Sequence, residues 1–247
     1  MNKTELKKYL DNLVKKYETP DFIKSDPVQF PHRFKTKQDI EISALIASSL
    51  AFGQRNKIIE TVEKIHSLIE NEPYNFCKNY KPSERKIFQN FKYRYIDDEN
   101  ITNFFEGLSK AINSFDSLEE IFLKHHNQKH ETIKEGLIGF VSEITTHGNY
   151  LLPCPDKKSA CKRLNLFLKW MVRKSSVDLG IWSNVDKSKL IIPLDVHVAR
   201  VSRKLNLLSR NSNDWQSAYE ITKILKEFDP DDPTKYDFAL FGAGIGL

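Results

Sequence analysis

The stretch that decides the fold is residues 190–205, whose sequence is LIIPLDVHVARVSRKL. Val198, Val201 and Leu205 recur at the spacing of one helical face, which predicts a helix that begins after Asp195. Asp195 would then occupy the N-cap position, where a carboxylate accepts backbone N–H groups and faces the positive end of the helix dipole. A carboxylate held in this way is either a plain cap or a group that stabilises a developing positive charge.

A second segment with two interpretations is residues 153–173, PCPDKKSACKRLNLFLKWMVR. Its apolar residues recur at helical spacing and predict one buried stripe, formed by Leu164, Phe167, Leu168 and Met171. Lys162 lies at the edge of this stripe, in the first turns of the predicted helix. Asp156 or Ser159 is the expected N-cap, because both side chains accept hydrogen bonds from the free amides of a helix start.

Two lysines lie at this predicted helix start. Lys157 and Lys158 would face the positive end of the helix dipole, which is an unfavourable place for cations. Helix amides together with lysines suit a phosphate, so the segment is interpreted either as a phosphate contact or as an ordinary solvated basic turn. Arg163 in the same segment and Arg200 in the first segment carry the same two interpretations.

Two other segments place polar and aromatic side chains near predicted helix ends. Residues 48–57, SSLAFGQRNK, predict an exposed corner between two helices with Gln54 at the turn. Residues 235–247, KYDFALFGAGIGL, put Asp237 and Phe241 one helical turn apart on a shared face. An aromatic ring beside a carboxylate can stack on a purine and accept its N–H protons. The alternatives are a plain interhelical turn and an ordinary core helix.

Helical periodicity continues through the rest of the chain, which makes the predicted fold class all-α. Apolar residues recur at helical spacing from Leu6 to Tyr17 and within residues 42–50, 58–69, 101–115, 117–126 and 131–145. No sustained two-residue alternation indicates a sheet. The strongest break is expected at residues 147–155, and 247 residues suffice for one large domain or two small ones.

Composition argues against several classes of protein. Three cysteines are too few for a four-cysteine iron–sulfur site and do not suggest a disulfide framework. No apolar run reaches the roughly 18–20 residues of a membrane span. The N-terminus lacks the apolar stretch of a signal peptide, so a cytoplasmic location is expected. The net charge of +5 is compatible with a polyanionic partner.

Together these segments resemble the helix-hairpin-helix DNA glycosylases. Residues 193–201, PLDVHVARV, are similar to the motif that carries the catalytic aspartate of that superfamily, which puts this role on Asp195. Residues 50–55, LAFGQR, resemble the corner whose glutamine enters the DNA stack or the base pocket, and that glutamine corresponds to Gln54. Over its full length the chain also resembles a bacterial family built around these same segments.

The catalytic lysine is assigned through the archaeal 8-oxoguanine glycosylases. Most of the superfamily has a Leu-Pro-Gly-Val-Gly hairpin before this lysine, whereas the archaeal enzymes and this chain do not. Residues 160–171, ACKRLNLFLKWM, are similar to the archaeal lysine helix with one-residue slips, and the lysine corresponds to Lys162. Asp195 follows it by 33 positions, similar to the archaeal gap. Asp237 and Phe241 match an archaeal pair that has tryptophan in place of phenylalanine.

The resemblance implies an arrangement of two helical subdomains with the active site in a cleft between them. Residues 37–179 would form a central subdomain that carries Gln54 and Lys162. The second subdomain would combine residues 1–36 with residues 187–247 and would carry Asp195 and Asp237.

The resemblance also implies an activity, that of a bifunctional DNA glycosylase and AP lyase. Such an enzyme flips an oxidised purine, 8-oxoguanine in the closest match, out of damaged double-stranded DNA. Lys162 would attack the sugar and form a Schiff base, while Asp195 stabilises the cationic transition state. Neither a cofactor nor a metal is expected, nor a membrane or an obligate protein partner, and the enzyme would act as a monomer.

Two other functions are compatible with the sequence. A helix-hairpin-helix relative can bind nucleic acid without cutting it, although the presence of both Lys162 and Asp195 favours an enzyme. A metal-dependent hydrolase would use His125, His126 and His130, of which the last two are four residues apart and share a helical face. The local sequence offers this histidine group no evident further ligand.

Overall fold

The computed structural model describes residues 1–145 and 150–246, and α-helices dominate this part of the chain. Its only strands there are a two-residue pair, β1 (Lys92–Tyr93) and β2 (Ile96–Asp97). The predicted all-α class is therefore confirmed. In chain order the helices are α1 (Lys3–Tyr17), α2 (Pro20–Ser25), α3 (Lys37–Ser49), α4 (Arg55–Leu68), α5 (Pro73–Asn79), α6 (Asp98–Ser114), α7 (Leu118–His125), α8 (Lys134–Ile144), α9 (Lys162–Val172), α10 (Val196–Lys204), α11 (Trp215–Phe228) and α12 (Asp237–Ile245).

Prolines begin most of the short 3-10 helices that separate these elements. The 3-10 helices are Pro27–Gln29, Pro31–Arg33, Pro82–Phe88, Pro155–Lys157, Lys187–Lys189 and Pro233–Tyr236. Proline suits a first helical position because its φ is fixed near the helical value and it has no N–H to leave unpaired. The predicted break at residues 147–155 falls partly on residues 146–149, which lie outside the described residues.

The chain divides into two compact units. The Asp195 unit consists of Met1–Lys24, Glu131–Ile133 and Pro155–Leu247, and the Gln54 unit consists of Ser25–His130 and Lys134–Cys154. This division differs from the predicted subdomains 1–36 plus 187–247 and 37–179. The boundary falls before Pro155 and not near residue 179, so α9 and Lys162 belong to the same unit as Asp195.

Hydrogen bonds at the end of α9 explain this placement. The amides of Leu179 and Gly180 donate to the carbonyl of Trp170 at 2.9 and 3.1 Å, and the Trp182 amide donates to Met171 at 2.8 Å. The chain after α9 thus folds back onto the helix and continues into the segment that carries Asp195. Periodicity alone does not encode such a return.

Within the Asp195 unit, α12 packs closely against α1 and α10 because two of its residues lack a side chain. A Cβ on Gly242 would lie 2.3 Å from the Tyr17 ring, and a Cβ on Gly244 would lie 2.8 Å from Cβ of His197. Backbones approach this closely only where glycine removes the obstacle. The close packing brings Asp237 and Phe241 of α12 into the same unit as α10.

The Gln54 unit is organised around α3, in which every residue from Ile40 to Ser49 is buried. The buried Glu41 carboxylate accepts hydrogen bonds from the amides of Leu118 at 2.8 Å and Glu119 at 3.4 Å. It therefore caps α7 from a distant part of the chain. This satisfies donors at a helix start that would otherwise be buried without partners.

Candidate active site

Asp195 is the N-cap of α10, as the sequence predicts. Its Oδ1 accepts hydrogen bonds from the amides of His197 at 2.8 Å and Val198 at 2.9 Å. Two fixed donors hold the carboxylate in one orientation and leave Oδ2 for another partner. A negative charge in this position is also favoured by the helix dipole.

Lys162 is the first residue of α9, and its Nζ lies 3.7 Å from Oδ2 of Asp195. The two side chains keep 28% and 14% of their surface exposed, so the pair is sheltered but open to solvent. Residues 33 positions apart in the sequence therefore form one amine–carboxylate pair. This is the arrangement that the assignment of Lys162 and Asp195 as catalytic partners requires.

The turn before Lys162 differs from the prediction that Asp156 or Ser159 caps the helix. Cys161 is the N-cap, with a left-handed backbone (φ 50°, ψ 33°) and no side-chain cap hydrogen bond. The Ser159 hydroxyl instead accepts from the Cys161 amide at 3.1 Å, and the Asn165 side chain donates to the Ala160 carbonyl at 3.0 Å. A left-handed non-glycine residue costs roughly 1–2 kcal/mol. It persists here because these two hydrogen bonds hold the turn that positions Lys162.

Asp237, predicted to bind substrate, is a buried residue at the start of α12. Burial raises the pKa of its carboxyl to about 6, and the negative charges of Asp195 and Asp178 act in the same direction. The ammonium groups of Lys169 and Lys162 oppose this rise. Lys169 Nζ lies 3.6 Å from Asp237 Oδ2, so the carboxyl is held beside one buried cation.

Lys169 belongs to a buried ion cluster that the sequence analysis did not identify. Its ammonium lies 3.1 Å from Asp178 and 3.7 Å from the centre of the Phe238 ring. Neither Lys169 nor Asp178 has more than 1% of its side-chain surface exposed. Buried charges of this kind are stable only when paired and hydrogen-bonded. The signal was present in the sequence as a lysine and an arginine four positions apart at the apolar C-terminal end of α9, where Lys169 is in the helix and Arg173 caps it.

The arginine of this cluster, Arg173, binds three carboxylates. It donates to Asp178 at 2.7 Å and to Asp232 at 2.9 and 3.0 Å, and it pairs with Glu18. Burial opposes its positive charge, but the three carboxylates outweigh this effect and raise the pKa of Arg173. With Asp237, four carboxylates are held by two buried cations, Lys169 and Arg173.

The predicted base-stacking residue Phe241 lies one turn after Asp237 on α12 and is half-buried. Its ring meets the His197 ring edge-on at 6.4 Å, which places it against the first turn of α10. His197 Nδ1 is 3.3 Å from the Gly244 carbonyl and must donate to it, since a carbonyl only accepts. The helix that begins at Asp195 is thus joined to the helix that carries Asp237 and Phe241.

The four predicted phosphate contacts differ in setting. Lys157 and Lys158 are exposed in and just after a 3-10 turn, and not in the first turn of α9 as predicted, because the left-handed residue 161 delays the helix start. Arg163 is half-buried on α9. Arg200 is exposed on α10, and its guanidinium also donates to the Gly244 carbonyl.

Gln54 belongs to the Gln54 unit, whereas the other predicted site residues belong to the Asp195 unit. It is exposed at the N-cap position of α4, and its side chain makes no cap hydrogen bond. The preceding Gly53 has a φ of +106°, which only glycine adopts readily. The predicted exposed corner between two helices is therefore confirmed, while the substrate contact by Gln54 stays a prediction.

The histidines considered for a metal site have other partners. His125 Nε2 lies 2.9 Å from Glu143, and His130 makes a hydrogen bond with Asn127 at 3.0 Å. Within residues 1–145 and 150–246, no group of three or more histidine, cysteine or acidic side chains is placed to hold a metal ion. The same part of the chain has no helix with the length and hydropathy that a membrane crossing requires.

Residues 26–246 match the protein family described as protein of unknown function (DUF2400). The chain belongs to this family. The matched region includes every residue assigned above to the candidate site: Gln54, Lys157, Lys158, Lys162, Arg163, Asp195, Arg200, Asp237 and Phe241. No curated protein and no solved structure matches the chain.

Proposed function

We propose that this protein is a bifunctional DNA glycosylase and AP lyase that removes an oxidised purine from damaged double-stranded DNA. The observation that carries the proposal is the 3.7 Å approach of the Lys162 amine to the Asp195 carboxylate. An amine nucleophile beside a fixed carboxylate is what Schiff-base excision requires. The helix-hairpin-helix glycosylase arrangement and a cytoplasmic site of action are parts of the same proposal.

The chemistry assigns one task to each partner. Lys162 reacts as an amine after its ammonium group has given up a proton to water, and its nitrogen forms a bond to the sugar C1′ as the C1′–N9 bond breaks and the bond electrons leave with the base. The base takes up a proton, and the attacking nitrogen loses one, for which Asp195 is a nearby acceptor. The C1′–O4′ bond then breaks, O4′ takes up the proton that Asp195 had accepted, and a protonated Schiff base results. Loss of a C2′ proton expels the 3′-phosphate and cuts the strand.

Asp195 supports this reaction through its charge and its fixed position. The transition state carries positive charge on the sugar, and a carboxylate that is already oriented stabilises this charge without reorganisation. The two backbone donors at 2.8 and 2.9 Å supply that orientation. Lys162 is held from the other side by the left-handed turn at Cys161.

The proposed substrate is 8-oxoguanine, which differs from guanine in having an N–H donor at N7. A pocket that selects it needs an acceptor for this donor, because a buried donor without a partner costs about 1–3 kcal/mol. Asp237 offers oxygen acceptors for the purine edge, and Phe241 on the same helix offers a ring for stacking. Because the base is read after it has been flipped out, we expect little dependence on the opposite base.

The proposal is tested by single-turnover excision on a panel of duplexes, each with one lesion. We expect release of 8-oxoguanine together with strand cleavage, and loss of both in Lys162→Gln. Lys223→Gln is the matched control, since it removes an exposed lysine of α11 that has no assigned contact with DNA and should retain activity. If the wild-type protein binds these duplexes but cuts none, it is a nucleic-acid-binding protein and not an enzyme.

A further inference from the structure

Three aromatic rings form a cluster on the surface of the Gln54 unit, which we call the aromatic platform: Phe52, Tyr95 and Tyr150. The rings of Phe52 and Tyr95 stack at 5.0 Å with 19° between their planes, and Tyr150 meets Tyr95 edge-on at 6.3 Å. Tyr95 and Tyr150 remain 56% and 67% exposed. Adjacent exposed aromatic rings leave apolar surface in water, which is a mark of a binding site.

The hairpin formed by β1 and β2 holds the platform in place. Its paired residues Tyr93 and Ile96 are buried, so Arg94 and Tyr95 form the exposed two-residue turn between them. The Tyr93 hydroxyl donates to the Phe52 carbonyl and ties this turn to the corner after α3. The ring of Tyr95 is therefore fixed at its base and does not depend on a flexible loop.

A cation accompanies the rings. A Cβ on Gly53 would lie 3.0 Å from Arg94 Nη1, so the guanidinium packs directly on this glycine. Arg94 itself adopts a φ of 55°, an unfavourable conformation for a residue with a side chain. A two-residue hairpin turn needs a positive φ at its first residue, so the hairpin itself imposes this conformation. The strained turn thus presents a guanidinium and an aromatic ring side by side.

We propose that the aromatic platform stacks on an unpaired nucleobase of DNA, with Arg94 beside it for the phosphate backbone. Flat rings with a neighbouring cation are how proteins bind single-stranded nucleic acid, because every base has a face that can stack. A paired base is covered on both faces by its neighbours in the duplex. The choice of DNA rests on the proposed function, whereas the stacking surface is independent of chemistry at Lys162.

The test compares two short single strands of equal charge by fluorescence anisotropy, oligothymidylate and an abasic strand with the same number of phosphates. The strands differ only in the presence of bases, so we expect the wild-type protein to bind oligothymidylate at least about tenfold more tightly, the scale of one base–aromatic contact. Tyr95→Ala should lower the affinity for oligothymidylate about tenfold and leave the abasic strand unchanged. Tyr95→Trp, which restores a stacking ring, should bind oligothymidylate like the wild type.

Tyr9→Ala is the matched control, because Tyr9 is an exposed tyrosine on α1, in the other unit, and should not affect binding. Equal affinity for the two strands, an unchanged Tyr95→Ala variant, or the same loss in Tyr9→Ala would overturn the inference. Lys162→Gln separates the inference about the aromatic platform from the proposed function. This variant should lose excision and still prefer oligothymidylate over the abasic strand. If the wild-type protein excises 8-oxoguanine but does not prefer oligothymidylate, the stacking role of the aromatic platform is overturned and the proposed function stands.

Discussion

Asp195 carries two roles that a pair of substitutions can separate, because the carboxylate is both a helix cap and the proposed electrostatic catalyst. Asp195→Ala removes the acceptor of two amide hydrogen bonds at 2.8 and 2.9 Å. Loss of an N-cap costs about 1 kcal/mol, which lowers the melting temperature by about 2–4 °C in a chain of this size. Asp195→Asn keeps an oxygen in the capping position and should melt within about 1 °C of the wild type.

The two variants should behave alike in catalysis. Both remove the negative charge beside Lys162, and loss of a preorganised electrostatic group lowers the rate of reaction by about 100–1000-fold or more. The ion pair itself contributes little stability, because Lys162 is more than a quarter exposed. Asp195→Asn should therefore lose activity and keep its stability, whereas Asp195→Ala should lose both.

The assays are thermal unfolding by circular dichroism and single-turnover excision of 8-oxoguanine by each variant. The reasoning fails if Asp195→Asn keeps excision within about tenfold of the wild type, an effect of only about 1.4 kcal/mol on the barrier. Asp195 would then be a structural cap whose charge the reaction does not use. A large loss of stability in Asp195→Asn would contradict the assigned cap.

Three other predictions concern Lys169, Asp237 and Phe241, which belong to the same unit as the proposed catalytic pair. Lys169→Met leaves the buried carboxylates of Asp178 and Asp237 without their shared ammonium and should cost about 3 kcal/mol in urea unfolding, with a smaller cost when Asp237→Asn is added. Because burial raises the pKa of Asp237 to about 6, above its value in the unfolded chain, its contribution to stability is complete below about pH 4 and lost as the pH rises through 6. The free energy of unfolding of Asp237→Asn, measured relative to that of the wild type, should thus increase by about 2 kcal/mol between about pH 4 and pH 7. A difference that does not change with pH would contradict the raised pKa of Asp237. Phe241→Ala should weaken excision about tenfold without preventing folding, and Phe241→Trp should restore it, whereas equal rates in all three proteins would remove Phe241 from the base pocket.

Local sequence signals predicted the elements of the site well. The apolar spacing after Asp195 defines α10, and a carboxylate immediately before such a helix is a strong cap signal, so both were confirmed. The start of α9 was misplaced because the left-handed backbone of Cys161 has no glycine or asparagine to indicate it. Helix α11 was not predicted, although Trp215, Ala218 and Leu225 recur at helical spacing.

The ion cluster was beyond local reasoning because its partners are distant in the sequence. Glu18 pairs with Arg173 across 155 positions, and Asp232 pairs with the same arginine across 59. Only the fold brings these charges together, and no periodic pattern records which carboxylate a buried arginine will meet. The division into two units could not be predicted for the same reason, because it depends on how the chain returns onto α9.

The most direct test of the central claim is to locate the covalent intermediate. Borohydride added during reaction with 8-oxoguanine duplex reduces the Schiff base and leaves the DNA attached to the nucleophile, whose position peptide mapping by mass spectrometry then gives. Lysine nucleophiles in Schiff-base enzymes are trapped in this way, and we expect the adduct on Lys162 and none in Lys162→Gln. An adduct on Lys157, Lys158 or Lys169, or undiminished trapping in Lys162→Gln, would contradict the account.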